Sequence, residues 1–242
     1  MNFLSIWNPL EFKWWGTGSD AVLDLIAKIQ VRDTTNFNWT FIFILAVVFF
    51  IYGYNIYKKN WRIVKAGFAL YAVHWLYEIM NAIIGYCAPA PLWAVSNEST
   101  TFILLVGVSW ELSMMFSIAG MIAFMMLPKD PKAKWFKFKT KSGKKFNGIS
   151  AKLCVAIGMA LFFGLFETFL AATNGGETFI WYYKWWGMLP VFLTTYIPFF
   201  LAAVYLPDIK SKKCKKLSTY VIGGMWVVVV ILLATLIPCK II

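Results

Sequence analysis

The fold is decided first by residues 39–65, which read WTFIFILAVVFFIYGYNIYKKNWRIVK. The first part of this stretch is almost wholly apolar and aromatic, and a basic cluster of Lys58, Lys59, Arg62 and Lys65 follows it directly. A helix needs about 20 apolar residues to cross a hydrocarbon core of roughly 30 Å. The stretch therefore predicts a membrane-spanning helix that ends in a basic loop at the bilayer surface.

The same alternation of apolar blocks and polar loops continues to the end of the chain. It predicts six spanning helices, at residues 39–57, 66–86, 101–127, 152–173, 188–206 and 220–238. The predicted fold class is therefore all-α, a polytopic integral membrane bundle, with the six-helix domain occupying residues 39–242. Residues 1–38 are too polar to span and are predicted to form an exoplasmic arm.

The arm contains one segment with helical periodicity. Its apolar residues recur at the spacing of a helix face, and its charged residues fall on the other side. The two sets are Val22, Leu25, Ile26 and Ile29, and Asp20, Asp24 and Lys28. The segment is predicted to be an amphipathic helix lying on the membrane surface.

The distribution of charge predicts how the helices are oriented. The chain is 60% hydrophobic, yet it has a formal net charge of +12, and most of its Lys and Arg lie in three loops that alternating helices would place on one side. By the positive-inside rule these loops are cytoplasmic and both termini are exoplasmic. The loops are predicted to contact anionic lipid headgroups. A nucleic-acid partner is not predicted, because the basic residues occur as short runs between apolar blocks.

Neither a cofactor nor a metal is predicted. With one histidine in the chain, histidine-rich oxygenase and desaturase sites and a bis-histidine haem are excluded. Nucleotide-binding and Ser-His-Asp signatures are absent from the sequence. The four cysteines, which are Cys87, Cys154, Cys214 and Cys239, have no CxxC spacing and are predicted to be unpaired.

Four ionisable residues fall inside the predicted spans, where such groups are costly and indicate function. Counted along the helices from the basic side, His74 lies about 12 Å deep and Glu78 about 18 Å, while Glu111 and Glu167 both lie about 24 Å deep. Because they lie at similar depth, we predict that these four residues form one catalytic centre. Polar and aromatic neighbours are predicted to bind the substrate: Tyr71, Trp75, Asn81, Trp110, Thr194 and Tyr196.

Two further patterns bear on packing around this centre. Ser113, Ser117 and Gly120 form a stripe of small residues that permits another helix to approach closely. Pro190 and Pro198 are expected to free backbone carbonyls in the fifth span.

The predicted centre combines groups that suit acid–base chemistry on a lipid. A carboxylic acid in apolar surroundings keeps its proton and can deliver it, and a His–Glu pair can accept one. Electron-rich aromatic faces stabilise a carbocation in the way they stabilise other cations. Together these groups favour a proton-triggered rearrangement of an alkene.

The motif His74-Trp-Leu-Tyr-Glu78 resembles the H-x-x-x-E of the emopamil-binding sterol isomerase family, whose fold is the EXPERA membrane domain. The layout of Phe163-Gly-Leu-Phe-Glu167, Asn174-Gly-Gly and Leu206-Pro-Asp208 is similar as well, so the resemblance extends over residues 39–208. Trp110-Glu111 is also similar to the Trp-Glu of membrane terpene cyclases. Either resemblance implies acid–base chemistry on an isoprenoid, and the isomerase motif matches His74, Glu78 and Glu111.

Three other readings of the sequence remain open. The buried carboxyl groups could be structural, each protonated and hydrogen-bonded to a neighbouring helix. The chain could be a non-catalytic subunit of a larger membrane complex, or a proton-coupled transporter of a small solute.

Overall fold

The computed structural model describes residues 20–35, 37, 39–96, 102–139, 145–172, 179–180, 182, 188–211 and 214–242. Seven α-helices dominate this part of the chain, so the predicted helical class is confirmed. They are α1 (Asp20–Ala27), α2 (Ile42–Tyr57), α3 (Trp61–Cys87), α4 (Trp110–Met125), α5 (Ala151–Ala172), α6 (Met188–Tyr205) and α7 (Leu217–Leu236). Short 3₁₀ turns precede α2 and follow α6, at Trp39–Phe41 and Leu206–Asp208.

Three segments of the described chain are long and apolar enough to cross a bilayer. They are Ala151–Phe169, Leu189–Asp208 and Leu217–Leu236. Helices α2 and α4 are apolar but only 16 residues long, which corresponds to about 24 Å. Helix α3 is 27 residues long but carries His74, Glu78 and Asn81 in its middle. The six-span count therefore stays a prediction, and so does the division of the chain at residue 38.

The predicted span at 101–127 is wrong in its first part. Residues 103–109 form a β-hairpin, in which β2 (Ile103–Leu105) pairs with β3 (Val108–Ser109). Helix α4 begins only at Trp110, because the Ser109 side chain accepts a hydrogen bond from the Leu112 N–H and caps it. Ile103, Leu105 and Val108 are buried in this hairpin, so its apolar composition resembles that of a helix although its backbone is extended.

The remaining strands pair within and between loops, which the all-α prediction did not anticipate. Strand β1 (Ala94–Val95) pairs with β8 (Phe179–Ile180). The loop between α4 and α5 folds back on itself, with β4 (Lys134–Trp135) on β7 (Ile149–Ser150) and β5 (Phe138–Lys139) on β6 (Lys145–Phe146). We call residues 134–139 and 145–150 the basic hairpin.

Helix α3 is central to the bundle and packs against α4, α6 and α7. Its approach to α4 depends on the predicted stripe of small residues, since a Cβ at Gly120 would collide with the carbonyl oxygen of Ala66. Two tyrosines join the helices beside this crossing. The Tyr71 hydroxyl is 2.6 Å from the Ser113 hydroxyl, and Tyr52 donates to the carbonyl of Ser117 at 2.7 Å. The close approach predicted for the stripe is therefore confirmed.

The bundle has two chemically different ends. At the first, which we call the basic end, the Asp208 carboxylate receives two N–H groups of Arg62 at 2.7 Å and the Lys152 ammonium at 2.5 Å. This cluster connects the start of α3, the start of α5 and the turn after α6. The three basic loops thus lie at one end of the bundle.

The opposite end is closed by loops and by α1. Ile26 and Ile29, in and just after α1, pack on Ala94 and Ile180 of the β1–β8 pair. The Arg32 guanidinium donates to the carbonyl oxygens of Leu104 and Ile242, at 3.1 and 3.0 Å. The predicted helix in the arm is confirmed by α1, while residues 1–19 lie outside the described part.

Candidate functional site

One face of α3 carries the polar side chains that the sequence singled out. His74, Glu78 and Asn81 follow one another at intervals of four and three residues, and each is at most 4% exposed. His74 Nε2 lies 3.5 Å from Glu78 Oε1. Neither imidazole nitrogen has a hydrogen-bond partner in the described part of the chain. Two buried imidazole nitrogens without partners are costly, so their position needs a physical explanation.

Aromatic rings surround the imidazole. Phe116 of α4 stacks on it with the ring centroids 4.3 Å apart, and Phe199 of α6 meets it edge-on at 5.7 Å. Tyr71, which the sequence placed among the substrate-binding residues, also stacks on the imidazole at 6.2 Å. Its hydroxyl, however, is already paired with Ser113.

The loop after α3 brings Trp93 over Glu78. Asn81 holds this loop by accepting the N–H of Leu92 at 2.7 Å and donating to the carbonyl of Trp93 at 2.8 Å. The Trp93 indole N–H lies 3.3 Å from each oxygen of the Glu78 carboxyl group. Asn81 therefore shapes the site by fixing Trp93, whereas the sequence had assigned it to substrate binding.

Gly107, in the turn of the β2–β3 hairpin, closes this side of the site. A Cβ at this position would lie 2.5 Å from both Glu78 Oε2 and Trp93 Nε1. Only glycine lets the hairpin backbone approach the carboxyl group so closely. The sequence reasoning missed both Trp93 and Gly107.

A second carboxyl group enters from α5. Glu167 is 5% exposed and forms a hydrogen bond with the Tyr196 hydroxyl of α6, while its Oε2 atom has no partner in the described part. Thr195 is buried beside Tyr196 and donates to the carbonyl of Phe192 in its own helix at 2.9 Å. Helices α5 and α6 thus bring one carboxyl group and one phenol to the face of α3 that carries His74 and Glu78.

These groups border one cavity of about 20 Å³ inside the bundle. Its volume is enough for about one water molecule or one atom-sized group. We call it the central cavity. Polar side chains and aromatic rings line it together: His74, Glu78, Trp93, Gly107, Leu112, Phe116, Glu167, Phe192, Thr195, Tyr196 and Phe199. Four of the ten predicted site residues, namely His74, Glu78, Glu167 and Tyr196, therefore meet in one place.

Two of the predicted residues lie elsewhere on α4. Trp110 and Glu111 occupy the first turn of this helix, and neither lines the central cavity. Trp110 instead borders an apolar groove of about 410 Å³, together with Thr34, Phe37, Phe41 and Phe102. The depth count runs through α4 from the basic side and does not cross the hairpin, so a similar depth alone does not bring Glu111 to the central cavity.

Trp75 and Thr194 also lie outside the cavity lining. Thr194 is exposed and donates to the carbonyl of Val191 at 2.9 Å. Its own carbonyl lacks a helical partner because Pro198 has no N–H. The Tyr77 hydroxyl lies 3.5 Å from this carbonyl oxygen. The freed carbonyl predicted from Pro198 is therefore present, and it faces α3.

The described residues contain no group of three or more His, Cys, Asp or Glu side chains arranged to hold a metal ion. The four cysteines carry free thiols in this structure, and Cys87 and Cys239 are exposed. The chemistry that this arrangement offers is proton transfer among His74, Glu78, Glu167 and Tyr196.

Comparisons with known proteins identify the family but assign no activity. The family model described as "Uncharacterized membrane protein family" matches residues 22–237. An uncharacterized protein of Archaeoglobus fulgidus is 36% identical over 182 residues, which are 74% of this chain and 79% of the relative. No solved structure matches. These matches give no support to the sterol isomerase resemblance. The chain belongs to this uncharacterized membrane protein family.

Proposed function

We propose that this protein is an intramembrane acid–base enzyme that shifts a double bond in, or cyclises, an apolar isoprenoid-like lipid. The observation that supports the proposal is the central cavity, where two carboxyl groups, an imidazole and a phenol from three helices meet among aromatic rings. If each carboxyl group were only a structural hydrogen-bonding partner of a neighbouring helix, the groups would not need to meet at one cavity. The resemblance of His74-Trp-Leu-Tyr-Glu78 to the sterol isomerase motif points to the same chemistry.

The proposed roles follow from the contacts of each group. Glu167, held by the Tyr196 hydroxyl, acts as the acid and transfers its proton to an alkene carbon. The resulting carbocation is stabilised by the aromatic rings that border the cavity, Phe116 and Trp93 among them, once the side chains have separated around the substrate. His74 then removes a proton from the neighbouring carbon, and the double bond re-forms in its new position.

Glu78 is a positioning residue in this mechanism. It lies 3.5 Å from His74 Nε2 and stabilises the imidazolium that forms when His74 accepts the proton. His74 then releases its proton to water and Glu167 takes one up from water, which restores both groups, so the cycle consumes no oxidant or reductant. Trp93 and Asn81 keep the Glu78 carboxyl group in place.

A lipid chain is larger than the central cavity, so the side chains around it must separate when substrate enters. Helix α6 is the element best suited to move, because Pro198 removes one of its backbone hydrogen bonds next to Phe199 and Tyr196. We infer that substrate enters between α3 and α6.

The experiment follows solvent hydrogen into the lipid. Membranes containing the protein are incubated in D₂O with a polyprenol mixture, or with a neutral lipid extract of the expression host. Non-exchangeable deuterium in the lipids is then measured by mass spectrometry. Glu167→Gln and His74→Gln should each lower its incorporation at least about 100-fold, since a positioned acid or base contributes 10²–10⁴ in rate.

The matched control for this experiment is Thr168→Val. Thr168 is adjacent to Glu167, but its hydroxyl donates to the Gly164 carbonyl at 2.7 Å and does not line the cavity. This variant should incorporate deuterium at the wild-type rate. Lipids that carry no more deuterium than those of membranes lacking the protein would refute the proposed enzyme.

The size of the central cavity suits a proton pathway, and this favours a second candidate function, which is a transporter that couples proton movement to a small solute bound elsewhere. A cavity for one water molecule between ionisable groups of separate helices can pass protons without accepting a lipid. Proteoliposomes with an imposed pH gradient would then show proton flux that Glu167→Gln removes, and the lipids would gain no deuterium.

We also propose that the basic end faces the cytoplasm, as the positive-inside rule requires. The clustering of Arg62, Lys152 and the basic hairpin at one end supports this orientation. In it, both chain termini are exoplasmic.

A further inference from the structure

A cavity of about 260 Å³ lies at the basic end of the bundle, away from the central cavity. It is bordered by the start of α3, the end of α4, residues 127–131 and the start of α5. We call it the basic-end cavity. Arg62 and His74 are separated by 12 positions on α3, or about 18 Å of helix, so the two cavities are distinct.

Cations dominate the wall of the basic-end cavity. Its lining contains three cations, Arg62, Lys129 and Lys152, and one carboxylate, Asp130. The Asp130 Oδ1 atom already accepts the backbone N–H of Lys132 at 2.9 Å. Arg62 and Lys152 share the single carboxylate of Asp208 between them, so their two positive charges are only half neutralised.

The two cations that pair with Asp208, Arg62 and Lys152, are held in fixed positions. Asp208 binds Arg62 through two parallel hydrogen bonds of 2.7 Å, a geometry that orients the guanidinium plane. The guanidinium also lies over the Phe124 ring, 5.3 Å from its centroid. The side chain of Lys152 is only 13% exposed, so its ammonium group is held within the protein rather than in free solution.

Two helix N-termini add to the positive potential. Helix α3 begins at Trp61 and helix α5 at Ala151, and both starts lie at this cavity. Each N-terminus is equivalent to roughly half a positive charge. The side chains contribute one net positive charge, because three cations (Arg62, Lys129 and Lys152) face two carboxylates (Asp130 and Asp208). With the two helix N-termini the site presents about two positive charges, which matches the charge of a phosphate monoester, about −1.5 to −2.

The other wall of the basic-end cavity is apolar. Ile63, Phe124, Met125, Leu127 and Pro128 form it, and Met125 is 49% exposed on the outside of the bundle. A ligand with a phosphate group and a hydrocarbon portion would contact both walls at once. This composition is typical of a site at the surface of a bilayer, where headgroup and chain meet.

The basic hairpin, which leaves this cavity, extends the positive surface. An open groove on it is lined by Lys132, Lys134, Lys137, Lys139 and Lys145 beside the stacked rings of Phe138 and Phe146, whose centroids are 4.9 Å apart. None of the described residues in this lining is acidic. The groove therefore raises the local concentration of anions next to the cavity.

We propose that the basic-end cavity binds a phosphate group, carried either by an anionic lipid headgroup or by a free phosphate ion. Arg62 and Lys152 form the fixed part of the site, and Lys129 is the cation that completes it when the ligand arrives. The site is independent of the acid–base chemistry proposed for the central cavity.

The test measures the thermal unfolding of the full chain, purified in detergent, against increasing ligand. The three ligands are inorganic phosphate, a short-chain phosphatidic acid and the phosphatidylcholine of the same chain length, all at constant ionic strength. We expect a saturable rise in Tm with at least one of the first two ligands. If only phosphatidic acid stabilises the protein, the ligand is a lipid headgroup. If only inorganic phosphate does, the ligand is a soluble ion. If both do, the site recognises the phosphate group whatever molecule carries it.

Two matched variants test the location of the site. Lys129→Gln removes a cavity cation that takes no part in the Asp208 cluster, so the fold should survive, and we expect roughly tenfold weaker half-saturation. Lys210→Gln removes a lysine of the same end that lies outside the cavity lining and should leave half-saturation unchanged. Equal effects of the two variants, equal stabilisation by phosphatidylcholine, or no stabilisation at all would overturn the proposal.

Discussion

Replacing Asn81 by alanine tests whether the α3 face and the following loop form one unit. Asn81 is fully buried, and its amide group makes two short hydrogen bonds, of 2.7 and 2.8 Å, to the backbone of Leu92 and Trp93. A third, longer bond of 3.3 Å comes from the Trp93 N–H. These bonds hold the indole that contacts Glu78, so their loss should disturb both stability and the site.

The expected magnitude follows from these contacts. A net contribution of about 1 kcal/mol for each of the two short bonds, and a cost of about 1–3 kcal/mol for a backbone group left buried without a partner, together give a loss of roughly 3–5 kcal/mol. For a chain of this size that loss corresponds to a Tm lower by roughly 6–20 °C. The assay is fluorescence-monitored thermal unfolding of the purified protein in detergent.

The control for Asn81→Ala is Met80→Ala, because Met80 is the neighbouring residue and is 40% exposed, whereas Asn81 is fully buried. This variant should change the Tm by no more than a few degrees. A loss below about 1 kcal/mol for Asn81→Ala, or equal losses for the two variants, would refute the reasoning.

Three further predictions test the hairpin, the helix crossing and the orientation. Gly107→Ala should lower deuterium incorporation strongly and destabilise the folded protein by about 1–3 kcal/mol, because the new Cβ would lie 2.5 Å from Glu78 Oε2 and Trp93 Nε1. The control is Gly53→Ala, whose Cβ meets nothing within 4 Å and should not affect activity. Gly120→Leu should separate α3 from α4 and reduce the yield of folded protein, measured by size-exclusion chromatography in detergent, and an unchanged yield would contradict the packing. In intact cells, a membrane-impermeant maleimide should label Cys87 directly and Cys214 only after permeabilisation, and the reverse result would contradict the proposed orientation.

Much of the site on α3 could be predicted from periodicity alone. His74, Glu78 and Asn81 share a face because residues separated by three or four positions lie one above the other on a helix. Glu167 could be placed near them because its depth follows from its position in an uninterrupted helix. Both inferences depend only on helix geometry, which the described structure retains in α3 and α5.

Glu111 illustrates where this reasoning fails. Its depth was counted through α4 from the basic side, but depth does not fix the direction in which a side chain faces, and Glu111 is absent from the cavity lining. The start of its span was wrong for another reason, since hydropathy does not distinguish the buried β2–β3 hairpin from a helix. Gly107, flanked by two valines, was the available signal of a turn. A turn recognised at Gly107 would have moved the predicted start of the third span from residue 101 toward Trp110.

The loop residues of the site could not be predicted by the same means. Trp93 follows a segment with prolines at 89 and 91, which marks a loop but not its direction. Its position over Glu78 depends on three hydrogen bonds to Asn81, and these are tertiary contacts that no sequence period encodes. The strands of the basic hairpin were missed for a similar reason, since each is only two residues long.

The central claim is that Glu78 and Glu167 border the same buried cavity, and a double-mutant cycle on the free energy of unfolding tests it most directly. The cycle combines Glu78→Gln with Glu167→Gln, and a parallel cycle combines Glu111→Gln with Glu167→Gln. We predict a coupling of at least about 1 kcal/mol for the first pair and additivity within about 0.5 kcal/mol for the second. Additivity of Glu78→Gln and Glu167→Gln would contradict a shared cavity.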